Sequence, residues 1–406
     1  MSKQQAHIPY GAYWSSPFVR WRGSLAGRHP LELAAEVTRT ALAQRGIEPG
    51  VLTELHLGTT VPSPHSFYGA PWVAGLIGAP EISGPTVSQA CATSARLIAG
   101  AADEVALALG GDGGAGSEGV PVVLCLAADR ISRGPVLNYP GPDRDAEVAE
   151  TEDWVMDNFA CDPWAGGSML QTAENVAAEY GVTTSEQHDV VLRRHQQYTD
   201  ALADDAAFQR RYMVTPVTGS EGDVDGDEGV FPATMEKMAA LSPVMEGGTV
   251  TYAGQTHPAD GNAGLIVTGP DQARELATDP DISVRIVGTA MGRAARAMMP
   301  KANIPTVHRL LEHTGWSVGD VSALKTHNPF AVNDIVLARE LGFGLDSMNN
   351  YGSSLIFGHP QGPTGLRLTI ELIEELALRG GGRGVFTGCA AGDTAMAVAL
   401  EVTDAR

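Results

Sequence analysis

The sequence is short of cysteine, of aromatic rings, of basic charge and of long apolar runs, and each shortage closes off a class of protein. Its four cysteines, Cys91, Cys125, Cys161 and Cys389, lie far apart and form no CxxC pair. Neither a disulfide framework nor a cysteine zinc site is expected; free thiols are. Aromatic residues make up 6% of the chain, so close packing must come from Gly and Ala, which favours an α/β protein over a disordered chain. Lys and Arg number 27 against 48 Asp and Glu, a formal charge of −21 that repels nucleic acid and anionic lipid over most of the surface. No segment reaches the roughly 18 to 20 uninterrupted apolar residues of a membrane span. The opening MSKQQAHIPYGAYW lacks the basic-then-apolar order of a signal peptide. A soluble, cytoplasmic protein with no membrane or nucleic-acid partner is the expectation.

What is present is a repeat. The stretch LELAAEVTRTALAQRG, residues 31–46, carries Leu33, Val37 and Ala41 at helical spacing, closes on Gly46, and leads into the strand pattern LTELHLGTTV. Far downstream, IPTVHRLLEHTGWSVGDVSALKTHNPF repeats it, with Gly315 and Gly319 standing for Gly46 and Gly50 and Leu324 for Leu55. The echo continues: CATSARLIAGAADEVALALGG before VPVVLCLAAD resembles HPQGPTGLRLTIELIEELALRGGG before GVFTGCAAGD. Each half is an α/β layer whose strands are apolar enough to be covered on both faces. The chain therefore divides into an N-terminal half over 1–130, completed by about 242–270, and a C-terminal half over 271–406. Residues 131–241, with Pro, Trp and an acidic run, read as an inserted loop domain that is partly helical.

Three motifs are set aside. GDGGAG, with Gly111, Gly113 and Gly116, fits a dinucleotide fingerprint but follows a helix and precedes a strand, the reverse of what pyrophosphate binding needs. Asp223, Asp225 and Asp227 imitate a calcium loop whose sixth and twelfth positions, Glu228 and Thr234, are wrong for it; a solvated acidic loop is expected instead. His308 and His313, five apart, do not share a helical face for metal, and no metal is expected.

The chemistry points to loops at strand ends. Cys91 precedes a long helical pattern, where the helix dipole and a nearby imidazole favour the thiolate. His359 sits in the Gly-rich turn of NNYGSSLIFGHPQGPTG, His327 and Asn328 at a strand end in KTHNPFAVND, and Cys389 in the small-residue loop VFTGCAAGD. Two cysteines and two histidines on four such loops form a catalytic inventory, since α/β proteins gather ligands at strand ends.

Over nearly its whole length the chain resembles the thiolase family. The likeness runs through SPFVRWRGSLAG, QTAENVAAEYGVTTSEQHD, ATMEKMAALSP, GTVTYAG and ADGNAG, and is strongest at NNYGSSLIFGHPQGPTG and GCAAGDTAMAVALEV. The resemblance implies the duplicated five-layered α-β-α-β-α thiolase fold with an inserted loop domain, and acyl-coenzyme A as substrate with no separate cofactor. It implies that Cys91 is the nucleophile that takes the acyl group, His359 its base, and Cys389 the acid/base at the α-carbon. His327 falls where the family has Asn or His and would help hold an oxyanion, with Asn328 beside it; Ala391, Gly392 and Met169 would line the second oxyanion hole and the acyl pocket. The family's Cys-Ser-Ser-Gly is CATS here, and Ala391 stands at a glycine position, which puts acyl specificity in question. Arg193, Arg194, Arg210 and Arg211 are the candidates for coenzyme A phosphates. The resemblance further implies a homodimer or homotetramer and leaves room for a small accessory subunit. The expected activity is reversible Claisen condensation or thiolytic cleavage of 3-ketoacyl-CoA. The alternatives are a ketoacyl-synthase-type condensing enzyme and a non-catalytic acyl-CoA binding protein of the same fold.

Overall fold

Val123–Arg130 and Ala259–Val267 are buried along their whole length, as uninterrupted apolar strands require. They pair antiparallel inside a sheet ordered Tyr13–Ser15, Ala259–Val267, Val123–Arg130, Glu54–Gly58, Thr86–Val87. A second sheet runs His7–Pro9, Ile282–Arg293, Thr394–Asp404, Gly381–Ala390, Ala323–His327. The computed structural model describes residues 5–110, 119–142 and 148–406. The glycines of GDGGAG, Gly111, Gly113 and Gly116, lie outside the described residues.

The two sheets repeat one plan. In each, a parallel pair joins strands bridged by a helix: Glu54–Gly58 with Val123–Arg130, and Ala323–His327 with Gly381–Ala390. Next outward, Leu57 pairs parallel with Thr86, and Leu324 with Met348. Gly46 and Gly315, the glycines of the sequence repeat, both follow a helix with left-handed φ of +66° and +70°, a conformation that suits glycine there. The halves also exchange chain: His7–Pro9 pairs with Ile282–Arg293 and so belongs to the second sheet.

Helices Thr93–Gly110 and Thr364–Leu378 pack on each other between the sheets. Pro30–Gln44 and Gly69–Ile77 cover the outside of the first sheet and Asn303–Thr314 that of the second, completing five layers. The central helix Thr364–Leu378 is buried on every side up to Ala377 although it carries Arg367, Glu371, Glu374 and Glu375. Buried charge survives only when paired and hydrogen-bonded. Arg367 forks onto Asp227 at 2.6 and 2.7 Å and reaches Glu371 at 3.1 Å; Lys325 also meets Glu371 at 3.0 Å, and Tyr13 donates to Glu374 at 2.7 Å. Asp227 thus departs from the reading of its acidic run as a solvated loop and supplies the counter-ion for the core, while Asp223 and Asp225 are exposed. His308 and His313 are exposed on Asn303–Thr314.

The segment after Arg130 forms a hairpin of Val136–Pro140 with Val148–Asp153, and helices Met169–Tyr180 and Thr184–Ala201. Thr183 and Glu186 close the second helix with reciprocal capping bonds. Among the described residues no helix is long and apolar enough to cross a membrane.

Candidate active site

Cys91 lies in the turn that enters helix Thr93–Gly110. The Thr93 hydroxyl accepts from the N–H of Gln89 at 2.8 Å and donates to the carbonyl of Ala90 at 2.7 Å, so the turn is tied to the helix it opens. Ala90 pays for this with a left-handed φ of +44°, a conformation that costs a non-glycine residue roughly 1–2 kcal/mol. Such strain is kept where it aims a functional group.

His359 reaches the same point from the other half. At Gly358 (φ +94°) a Cβ would meet Nε2 of His257 at 2.7 Å, so only glycine lets the chain pass into the turn. Nε2 of His359 stands 3.1 Å from the Cys91 sulfur, and Nδ1 is held by the Thr364 hydroxyl at 2.6 Å. The His327 ring stacks on His359 with centroids 3.9 Å apart. Its Nδ1 is 2.8 Å from the Ser354 hydroxyl, while its buried Nε2 has no partner among the described residues. Cys389, buried in Gly381–Ala390, accepts from Nδ2 of Asn333 at 3.2 Å.

Burial dominates the electrostatics. It pushes the Cys91 thiol up to about 12, opposed by the N–H groups of Ala391 and of Cys91 itself and reinforced by Asp129. It pushes His327 down to about 3, and it holds His359 well below the ordinary range with His327 adding to the effect. Cys389 is raised by burial and then by Cys91, with Asn333 opposing. Burial thus disfavours both the thiolate and the imidazolium, and opposes the preference for the thiolate that the turn's position at a helix start supplies.

A cavity of about 510 Å³ opens onto this pair, large enough for a small organic substrate. Cys91, His359, Gln361 and Ala391 line one part; Val61, Ile131, Trp154, Phe159, Met169 and Phe330 make the rest largely apolar. Cys91, His327 and His359 also bring one sulfur and two nitrogens within 4.8 Å, a donor set that suits a thiophilic ion. An ion there would occupy the lone pairs that proton transfer needs.

Of the residues marked in the sequence, Cys91, His359, Met169 and Ala391 line the cavity, and His327 lies directly behind. Ala391 is not among the residues of positive φ, so its methyl adds no backbone strain; the turn is made by Gly392 and Asp393, at φ +79° and +59°. Asn328 does not face the cavity. It is fully buried, donates to Asp334 at 2.8 Å and accepts from the N–H of Leu355 at 3.1 Å, so it braces the loop behind His327. The four arginines lie away from the cavity lining. Arg194 is wholly buried on Asp334, Gln197 and the carbonyl of Met348, and is closed to a phosphate. Arg193 pairs with Asp346, Arg210 with Asp205, and Arg211 with Glu374.

Sequence reading missed four residues. Gln361, at φ +61°, sets its Oε1 3.2 Å from the Cys91 sulfur. Asp129 accepts from the N–H groups of Thr60, Val61 and Gly362 at 2.7, 3.0 and 2.9 Å, joining the His359 turn to the first sheet. Asn333 and Ser354 are the others. A lone acid closing the apolar strand VLCLAADR was a signal for Asp129; the polar side chain in GHPQGPTG was one for Gln361.

Comparison with known proteins agrees over the full length. The model of the thiolase N-terminal domain matches residues 13–271, and that of the thiolase C-terminal domain residues 281–402. An acetyl-CoA acetyltransferase of Paracoccus denitrificans is 27% identical, covering 95% of this chain and 97% of its own. A 3-ketoacyl-CoA thiolase of Bacillus subtilis is also 27% identical, covering 94% and 95%. Among solved structures, the acetyl-CoA acetyltransferase of Bacillus anthracis superposes with a TM-score of 0.86 at 27% identity, covering 99% of this chain and all of that one. With both domains matched in order and the duplicated fold in place, the chain belongs to the thiolase family.

Proposed function

We propose that the protein is an acyl-CoA C-acyltransferase that makes or cleaves 3-ketoacyl-CoA through an acyl group carried on Cys91. The observation that carries this reading is the 3.1 Å contact between Nε2 of His359 and the Cys91 sulfur at the wall of the cavity. As the sulfur attacks the thioester carbonyl its proton passes to Nε2, and Nδ1–H of His359 is steadied by Thr364. Coenzyme A then leaves with that proton, and the acyl group stays on sulfur. In the second half, Cys389 gives its own proton to the now neutral His359, and its thiolate takes a proton from the α-carbon of a second acyl-CoA. The resulting carbanion attacks the acyl-Cys91 carbonyl and releases the Cys91 sulfur, which takes the proton back from His359, so that both thiols and the imidazole return to their starting states. Two cysteines are needed because one sulfur cannot store the acyl group and act as base together.

Neutral groups suit this chemistry. A buried neutral pair turns into an ion pair only when a developing oxyanion shares the site, so charge appears where donors await it. The N–H groups of Cys91 and Ala391 are one such donor pair. Nε2–H of His327 is another, with the Ser354 hydroxyl donating to Nδ1 along its shorter contact. On this reading the halves over 1–130 and 271–406 each contribute part of the site and the insert over 131–241 roofs it. The working unit is a homodimer or homotetramer, checked by light scattering.

A second histidine beside Cys91 is the one feature that favours a ketoacyl-synthase-type condensation. Cys389→Ala separates the two: retained condensation supports the synthase reading. The direct test incubates the protein with a panel of acyl-CoA and 3-ketoacyl-CoA substrates. One acyl mass on the Cys91 peptide, with release of coenzyme A and no adduct in Cys91→Ala, is the expected result. Binding without release of coenzyme A across the whole panel would sink the proposal.

A further inference from the structure

A second group of ligand-type side chains lies at the far end of the Cys91 helix. Glu54 and His56 are two apart in Glu54–Gly58, so they share a face of that strand, and it is the face on which Thr93–Gly110 packs. Glu104 comes from that helix. Nε2 of His56 lies 3.4 Å from a Glu54 oxygen and 3.1 Å from a Glu104 oxygen, and one atom from each of the three residues falls within 4.8 Å of the others. His56 is 2% exposed, and its Nε2 makes no hydrogen bond among the described residues; the same holds for the nearer Glu104 oxygen. A buried imidazole nitrogen aimed between two carboxylates, within ion-pairing distance of both yet in hydrogen-bonding geometry with neither, is the second observation that distinguishes this group from a patch of acids.

The spacing fits one class of ligand. Zinc bound by imidazole and carboxylate at about 2.0–2.1 Å in a tetrahedron sets neighbouring donor atoms roughly 3.3–3.4 Å apart. The two measured separations bracket that distance. The two glutamate side chains are half-exposed, while the Glu104 oxygen nearest His56 is itself covered. Without a cation two carboxylates are crowded onto one imidazole nitrogen. A divalent cation would relieve both the crowding and the orphaned nitrogen.

We propose that Glu54, His56 and Glu104 form a site for a divalent transition-metal ion of the zinc type, clamping strand Glu54–Gly58 to the helix that begins beside Cys91. The site is separate from the catalytic cavity, since none of its residues lines it. It also runs against the sequence expectation of no metal, which considered only cysteine pairs and the His308–His313 spacing.

The test uses untagged, chelator-treated full-length protein alkylated with iodoacetamide, so that Cys91 and the exposed Cys161 cannot bind metal. Titration with zinc, and with cobalt(II) as a spectroscopic probe, should show one equivalent bound. The cobalt spectrum should have d–d bands and no thiolate-to-metal charge-transfer band. Glu104→Gln should weaken binding about tenfold or more, a loss of at least one ligand's worth of affinity, and so should His56→Gln. Glu104 is half-exposed, so its variant tests the site without disturbing the core; unalkylated Glu104→Gln should keep wild-type activity. No uptake, or uptake unchanged in both variants, or a thiolate band overturns the proposal.

Discussion

At the scale of single residues, the site works by desolvation. Because Cys91 is raised to about 12, its thiolate fraction grows tenfold per pH unit through the neutral range. Alkylation of Cys91 by iodoacetamide, followed by mass spectrometry of its peptide, should therefore keep accelerating from pH 7 to pH 10. A rate already level below pH 7 would indicate a resting ion pair instead. Asn333 gives the second residue-scale expectation. Its amide opposes the rise of the Cys389 thiol, and one hydrogen bond contributes about 0.5–1.5 kcal/mol. Asn333→Ala should slow condensation up to about tenfold and leave acylation of Cys91 unchanged, a split that single-turnover acylation against steady-state condensation will reveal. The candidate site residues could be picked out in the sequence because turn glycines and small residues mark their loops. Gln361 and Asn333 were not, since a polar side chain in a turn or helix declares its target only when the chain is folded.

Between elements, Asp129 is the hinge pin. It joins the end of Val123–Arg130 to the turns carrying Thr60 and Gly362, and burial lifts its carboxyl from an ordinary 3.8 to about 6. A carboxyl raised on folding favours the folded state when protonated, so its contribution is complete below pH 4 and lost as pH climbs through 6. Asp129→Asn should remove that component: across pH 4 to 6 the wild-type melting temperature should fall relative to the variant's, as calorimetry can measure. The inserted segment supplies a different expectation. Trp154 walls the cavity and donates from Nε1 to the carbonyl of Thr60 at 2.8 Å. Trp154→Ala should open room for longer acyl groups and raise their kcat/KM relative to acetyl by at most about fourfold per added methylene. The helices and strands that build these walls could be read from periodicity, and so could the repeated helix, glycine and strand. The exchange of His7–Pro9 into the second sheet could not, because three residues carry too little pattern to choose a partner.

Over the whole molecule, charge is managed in two ways. In the core, Arg367 holds Asp227 and Glu371 together beneath the central helix. Removing one partner of such a buried set costs about 3–5 kcal/mol, so Arg367→Leu should lose most of the protein's stability in denaturant titrations. On the surface, the −21 charge is not offset near the cavity by Arg193, Arg210 or Arg211, which are tied to their own acids. Arg193→Ala and Arg210→Ala should therefore leave KM for acyl-CoA within about twofold of wild type. The sequence showed those arginines as a cluster but not that each had an acidic neighbour across the fold, and charge patterning alone carries no such pairing.

The strand Thr394–Asp404 lies in the middle of the second sheet, between Ile282–Arg293 and Gly381–Ala390. Both of its neighbours take hydrogen bonds from it, and Cys389 pairs with its Ala395. Fraying of that one inner strand would therefore loosen the seat of the second sulfur.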